Sequence, residues 1–157
     1  MDAKVDASAL AALAERLEQA PQVLKDAKRQ AFTEAAPKLK AAVDAEIGGT
    51  GKVRGWQGAF VGSKGGYAAA RPQKRLYVET QGKQKGFRAG PKKYAVGYIT
   101  NAIDSGHRSP RNKFGSYASA GRTPGKQFYQ RAQTDAQDVA QEAGEQIIQT
   151  LIDHLEG

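Results

Sequence analysis

The chain has 157 residues, with 24 Lys and Arg against 16 Asp and Glu, a net charge of +8, and no cysteine. The missing thiols exclude disulfides, thiolate metal sites and cysteine nucleophiles. No apolar run approaches the roughly 18 residues of a membrane span.

Hydrophobic residues make up 39% of the chain. Much of that share is alanine, which buries little area per residue, so the expected core is modest. The start, Met1-Asp2-Ala3-Lys4, lacks the apolar stretch of a signal peptide. The expectation is a soluble protein made in a cytoplasm.

Residues 6–47 read as helix. Leu10, Leu13, Ala14 and Leu17 recur at i, i+3, i+4 and i+7, and Asp6 or Ser8 is placed to cap the start. Pro21 is expected to restart the helix, since proline suits a first turn. Leu24, Ala27, Ala31, Ala35, Leu39, Val43 and Ile47 continue an apolar stripe, widened by Phe32. Pro37 falls inside it and predicts a kink, because it removes a backbone donor. Gly48-Gly49 is the expected stop.

Residues 48–71 form a glycine-rich stretch with Trp56, Phe60 and Tyr67 interspersed. It has too little apolar surface to fold alone and reads as an arm, either a long loop or a loosely paired hairpin. Two strand candidates follow. Arg75–Thr80 is rich in β-formers and ends at the turn signal Gln81-Gly82. Tyr94-Ala95-Val96-Gly97-Tyr98-Ile99-Thr100 is the stronger candidate, bounded by Pro91 and Asn101. Glycines and prolines punctuate residues 105–125, which predicts loop.

The final block, 125–155, reads as helix. Phe128, Ala132, Ala136, Val139, Ala143, Ile147, Leu151 and Leu155 follow helical spacing, thickened by Ile148 and Ile152. The order is long N-terminal helices, a small antiparallel sheet with long loops, then a C-terminal helix. That is an α+β class rather than alternating βαβ, expected as a single domain over 1–157.

Charge is sorted along the chain. Residues 48–131 hold 17 of the Lys and Arg but only Glu79 and Asp104, a net charge of +15. Residues 132–157 hold six acids and no Lys or Arg. Such segregation points to a polyanion or to a partner surface of opposite sign, which in a self-assembling protein is another copy. Two basic clusters are interleaved with aromatics: Lys83, Lys85, Arg88, Lys92 and Lys93, then Arg108, Arg111 and Lys113. They are the candidates for DNA or partner contact, since cations meet phosphates and exposed aromatics stack on bases. No recognised reader module accompanies them.

Catalytic patterns are weak. Glu46–Val53 imitates a phosphate-binding loop, but Glu46 stands where its first glycine is needed and Val53 where Ser or Thr is needed. Asp104 and His107 share a segment flanked by Ser105 and Ser109, and read as a polar turn rather than a triad. His154 reads as a surface residue near a helix end. No catalytic, metal or cofactor residue is assigned.

Three pieces of the second half form a pattern. Tyr94-Ala95-Val96-Gly97-Tyr98-Ile99 precedes Asp104-Ser105-Gly106-His107. Pro124-Gly125-Lys126-Gln127-Phe128-Tyr129-Gln130-Arg131-Ala132 then opens the last helix. This pattern resembles the head–tail connector family of tailed phages, the neck or tail-completion proteins. Asp104–His107 replaces the family's acidic-Gly-Thr turn, and Gln127-Phe128 replaces its Pro-Phe pair. The resemblance implies a non-enzymatic structural subunit. Identical copies would form a ring around the DNA channel, beside other neck, portal-adaptor or tail proteins and with transient double-stranded DNA. It implies a virion location at the neck or tail top after assembly in the host cytoplasm, without membrane contact. Tyr94, Tyr98, Phe128 and Tyr129 are the expected structural anchors. The alternative is a free basic nucleic-acid-binding protein.

Overall fold

The structure is a computed structural model that describes residues 7–49, 51–80, 92–108 and 121–156. The chain is α+β. Helix α1 (Ala7–Ile47) leads into a 3-10 turn (Gly51–Trp56) and the strands β1 (Gln57–Val61), β2 (Ala68–Pro72), β3 (Tyr77–Thr80) and β4 (Lys92–Ala95). Helix α2 (Val96–Ser105) follows, then β5 (Gly106–Arg108), β6 (Arg122–Pro124), a single-turn helix α3 (Phe128–Arg131) and helix α4 (Gln133–Glu156).

Helix α1 is one uninterrupted element with Pro21 and Pro37 inside it. The expected restart at Pro21 does not occur. Both prolines lie on the exposed side, where water can satisfy the carbonyl each leaves without an intrahelical donor. Gly48 ends the helix with φ +61, the left-handed geometry that glycine adopts without steric cost.

Helix α4 packs antiparallel on α1. Lys38 pairs with Glu142 at 2.5 Å, Gln146 donates to Glu34 at 3.0 Å, and Arg16 donates to the Leu155 carbonyl at 3.0 Å. At the seam Ala31, Ala35 and Ala143 are buried, with Ala68, Val139 and Ile147 against them. Small side chains let the two helix axes approach closely. The polar edge of the seam is tuned as well. Hydrogen bonds from Gln146 and Gln30 hold the Glu34 carboxyl below its ordinary pKa.

Among the described residues, the strands form three two-stranded antiparallel ladders, β1–β2, β3–β4 and β5–β6. Residues 57–72 are thus a hairpin, the paired one of the two arrangements open for the glycine-rich stretch. It is not a free arm, because its turn docks on α1. A Cβ built at Gly65, where φ is +65, would lie 3.1 Å from Arg29 Cβ and 3.2 Å from its Cα. Glycine is what permits that approach.

The expected strand 94–100 is corrected. The strand ends at Ala95, and Val96–Ser105 is α2. Val96 and Thr100 are fully buried, and Ile103 packs on the main core. Their i, i+4, i+7 spacing is a helical period, and burial of that face overrides the β-propensity of Val, Tyr, Ile and Thr.

The main core joins Val43 and Ile47 of α1, Val53 of the 3-10 turn, Phe128 of α3 and Ala132, with Trp56, Ala70, Ile103 and Tyr129 packed around them. No helix among the described residues is long and apolar enough to cross a membrane.

Candidate partner-contact surfaces

The junction below α3 is a set of polar locks around an apolar centre. Phe128 is fully buried, and its ring lies 4.7 Å from that of Tyr129, tilted by 49°. The Tyr129 hydroxyl donates to Gln57 Oε1 at 2.7 Å, and its backbone N–H donates to Asp104 Oδ1 at 3.2 Å. Gln57 Nε2 in turn donates to the Val53 carbonyl at 3.2 Å. Burial, with the Asp104 carboxylate beside it, pushes the Tyr129 pKa up to about 12. Arg131 donates to Glu46 Oε2 at 2.6 Å and to the Glu46 carbonyl at 2.8 Å. That places a cation on the last carbonyls of α1, where the helix dipole favours it.

These locks account for Asp104. Its carboxylate serves the backbone of Tyr129, while the His107 ring lies 3.4 Å from the Ala102 carbonyl. The two side chains have different partners. His154, expected at the surface near the helix end, is half-buried there and has a partner on α1. Its Nε2 sits 3.0 Å from the Arg16 carbonyl, so this nitrogen carries the proton and donates. Together with Arg16 it pins the C-terminal end of α4 to α1.

Of the expected anchors, Phe128 and Tyr129 lie in and beside the core, whereas Tyr94 and Tyr98 do not. Tyr98 is 71% exposed and Tyr94 is 37% exposed. The change from strand to helix at Val96 turns Tyr98 onto the outer face of α2. Of the expected contact cations, Lys83, Lys85, Arg88, Arg111 and Lys113 lie outside the described residues, as do the side chains of Lys92 and Arg108. Lys93 is exposed and pairs with Glu79 across the β3–β4 ladder at 3.1 Å.

A different basic surface comes together on the first hairpin. Gly58 faces Arg71 across the ladder, and Phe60 lies two residues further along the same face. The Phe60 ring folds over Gly58, where a Cβ would lie 2.8 Å from the ring. The Arg71 guanidinium stacks 4.6 Å from the ring centroid. Beside this stack is an open groove of about 530 Å³ lined by Gly58, Phe60, Lys74, Arg75 and Leu76 among others. Sequence reasoning passed over these cations because residues 57–72 lacked a fixed register. Once β1 and β2 are paired, the Phe60–Arg71 diagonal follows.

Two runs of exposed aliphatic side chains stand out on the described helices. Leu10, Leu13 and Leu17 are 56%, 42% and 54% exposed. They continue the buried stripe of α1 towards and past the end of α4, which stops beside Arg16. On α4, Ile148 and Ile152 are 60% and 39% exposed, on the side away from Ala143. Asp135, Asp138, Glu142, Glu145, Asp153 and Glu156 are all exposed, and their spacing places them on one stripe of the same helix that runs along the edge of the α1 seam, where Glu142 meets Lys38. Among the described residues no three His, Asp or Glu side chains gather into a metal-ligand cluster. The chain matches no protein-family model, no curated protein and no solved structure.

Proposed function

We propose that this chain is a non-enzymatic structural subunit of a tailed-phage neck. In this reading, identical copies form a ring that joins the DNA-filled head to the tail around the DNA channel. The observation that carries it is the apolar stripe of α1, which runs from the buried Ala27, Ala31 and Ala35 out to Leu10, Leu13 and Leu17, more than two-fifths exposed each. Exposed apolar patches of this kind mark protein–protein contact. The exposed acidic stripe of α4 and the basic middle of the chain add surfaces of opposite sign, which suit a head-to-tail contact that closes into a ring. The resemblance of residues 94–99, 104–107 and 124–132 to connector proteins supplies the class. Its site is the virion neck or tail top, reached after assembly in the host cytoplasm, with other neck, portal-adaptor or tail proteins as neighbours.

Native mass spectrometry and electron microscopy of the purified chain, alone and with its neck partners, test this. A closed oligomer is expected. A strict monomer that never enters a particle overturns it.

A second reading, a free nucleic-acid-binding protein, is favoured by the net charge of +15 over residues 48–131. It requires DNA retention at low salt that falls steeply as salt rises, because bound cations release counterions.

A further inference from the structure

Resting on the ring reading, we infer that the groove beside the Phe60–Arg71 stack of one copy receives the Ile148–Ile152 ridge of the next copy. Both halves of this contact are on the same chain, and among the described residues neither has a counterpart within its own subunit.

The ridge is ordered by helical spacing. Glu145, Ile148, Ile152 and Glu156 follow at i, i+3, i+7 and i+11, so they line one stripe with a carboxylate at either end and two isoleucines between. All four are exposed. Among the described residues Glu145 accepts a hydrogen bond from the exposed amide of Gln141 at 2.8 Å. The opposite face of α4 is committed to α1 through Ala143, Ala31 and Ala35. The helix therefore cannot turn its isoleucines inward without giving up that seam.

The groove is the chemical complement. Phe60 and Leu76 give it apolar walls, and Lys74 and Arg75 bring two exposed cations to it. The Phe60 ring is held in place by Gly58 beneath it and Arg71 on it, so the wall is formed before a partner arrives. An apolar pair flanked by carboxylates fits an apolar groove flanked by ammonium and guanidinium groups, and opposite charges at the rim fix orientation. DNA offers this groove phosphates but no match for its apolar walls other than an unstacked base. The two isoleucines match them directly.

Ridge and groove are different surfaces, so the contact is heterologous, and repetition gives a ring where the rotation closes. A ridge of four side chains falls short of the roughly 20–30 residues a side of a standard stable interface. Assembly should therefore depend strongly on concentration and on closure of the ring.

The test uses two full-length variants, each altered at exposed positions. A ridge variant carries Ile148→Asp and Ile152→Asp, and a groove variant carries Lys74→Glu and Arg75→Glu. Circular dichroism first checks that each keeps its helix content. Sedimentation velocity and native mass spectrometry over a concentration series should then show at least a tenfold weaker association for each variant alone. Mixed in equal amounts, the two retain one good ridge and one good groove between them. The mixture should give heterodimers and nothing larger. If both variants form rings as the unaltered chain does, this contact is overturned while the ring reading stands. A groove variant that assembles normally but loses retention of a DNA duplex at low salt overturns it in favour of a nucleic-acid groove. If the unaltered chain stays monomeric and never enters a particle, both readings fail together.

Discussion

The Tyr129 hydroxyl reaches across 72 residues of chain to donate a 2.7 Å hydrogen bond to Gln57 Oε1, and so ties the head of the last helical segment to the first hairpin. Gln57 is 2% exposed, so its amide oxygen has no access to bulk water if the phenol is lost. Tyr129→Phe should destabilise the fold by about 1–3 kcal/mol, the cost of an unpaired buried acceptor. Chemical denaturation of the two proteins at neutral pH measures this. An unchanged midpoint would mean that the bond adds nothing.

The same residue predicts an alkaline limb. The folded Tyr129 has its pKa raised from an ordinary 10.0 to about 12, so the folded state holds this proton more tightly than the unfolded chain. Its contribution is complete below pH 10 and is lost as pH rises through 12. Stability of the unaltered protein should fall across that window more steeply than stability of Tyr129→Phe. Parallel pH profiles of the two would contradict this.

Among the described residues Phe128 is the largest fully buried side chain, in contact with a core built from Val43, Ile47, Val53 and Ala132. Phe128→Ala should cost about 3–5 kcal/mol through lost burial and the cavity left behind. A denaturation midpoint within error of the parent would remove Phe128 from its central role.

Much of this frame is legible in the sequence, because it rests on long helical periods. The α1 stripe from Leu24 to Ile47 and the stripe from Phe128 to Leu155 through α3 and α4 each repeat over many turns, and the class α+β follows from their flanking a glycine-rich middle. Short elements are where composition misleads. Val96–Ser105 contains Val, Tyr, Ile and Thr, which favour strands, and only burial of Val96 and Thr100 shows the period to be helical. Pro21 marks a break by its chemistry, yet a helix held along α4 and exposed at the proline accommodates it. Tyr98 looks like an anchor because aromatics usually pack, and its exposure depends on the helical phase that composition hides. The Phe60–Arg71 pair and the groove beside it depend on a hairpin register that no local motif announces.

Proline inside α1 gives a further expectation. Pro21 is exposed and lies within the unbroken helix. Pro21→Ala restores a backbone donor and relieves the ring's clash with the preceding turn, against the loss of proline's restriction of the unfolded chain. With about 3 kcal/mol between Pro and Ala in a helix interior and up to about 1 kcal/mol returned by the unfolded state, the net gain should be near 2 kcal/mol. Thermal unfolding of Pro21→Ala should move to higher temperature. A lower transition temperature would show that the proline ring makes a contact the fold requires.

Gly65 supplies the sharpest local test of how the first hairpin is held. Its left-handed φ of +65 strains any side chain, and a Cβ there would lie 3.2 Å from Arg29 Cα, so close that the turn and α1 must give by a few tenths of an ångström to admit a methyl group. At Gly66, the next residue, a Cβ would meet nothing within 4 Å. Gly65→Ala should therefore destabilise by about 1–2 kcal/mol, from the strained backbone conformation together with displacement of the turn from α1. Gly66→Ala should change stability by less than about 0.5 kcal/mol, as for most open surface sites. Hydrogen exchange distinguishes a docked hairpin from one that is merely paired. In Gly65→Ala, amides of residues 57–72 should exchange faster while those of the α1–α4 seam around Ala31 and Ala143 keep their protection. Equal effects of the two substitutions would show that the turn does not rest on Arg29.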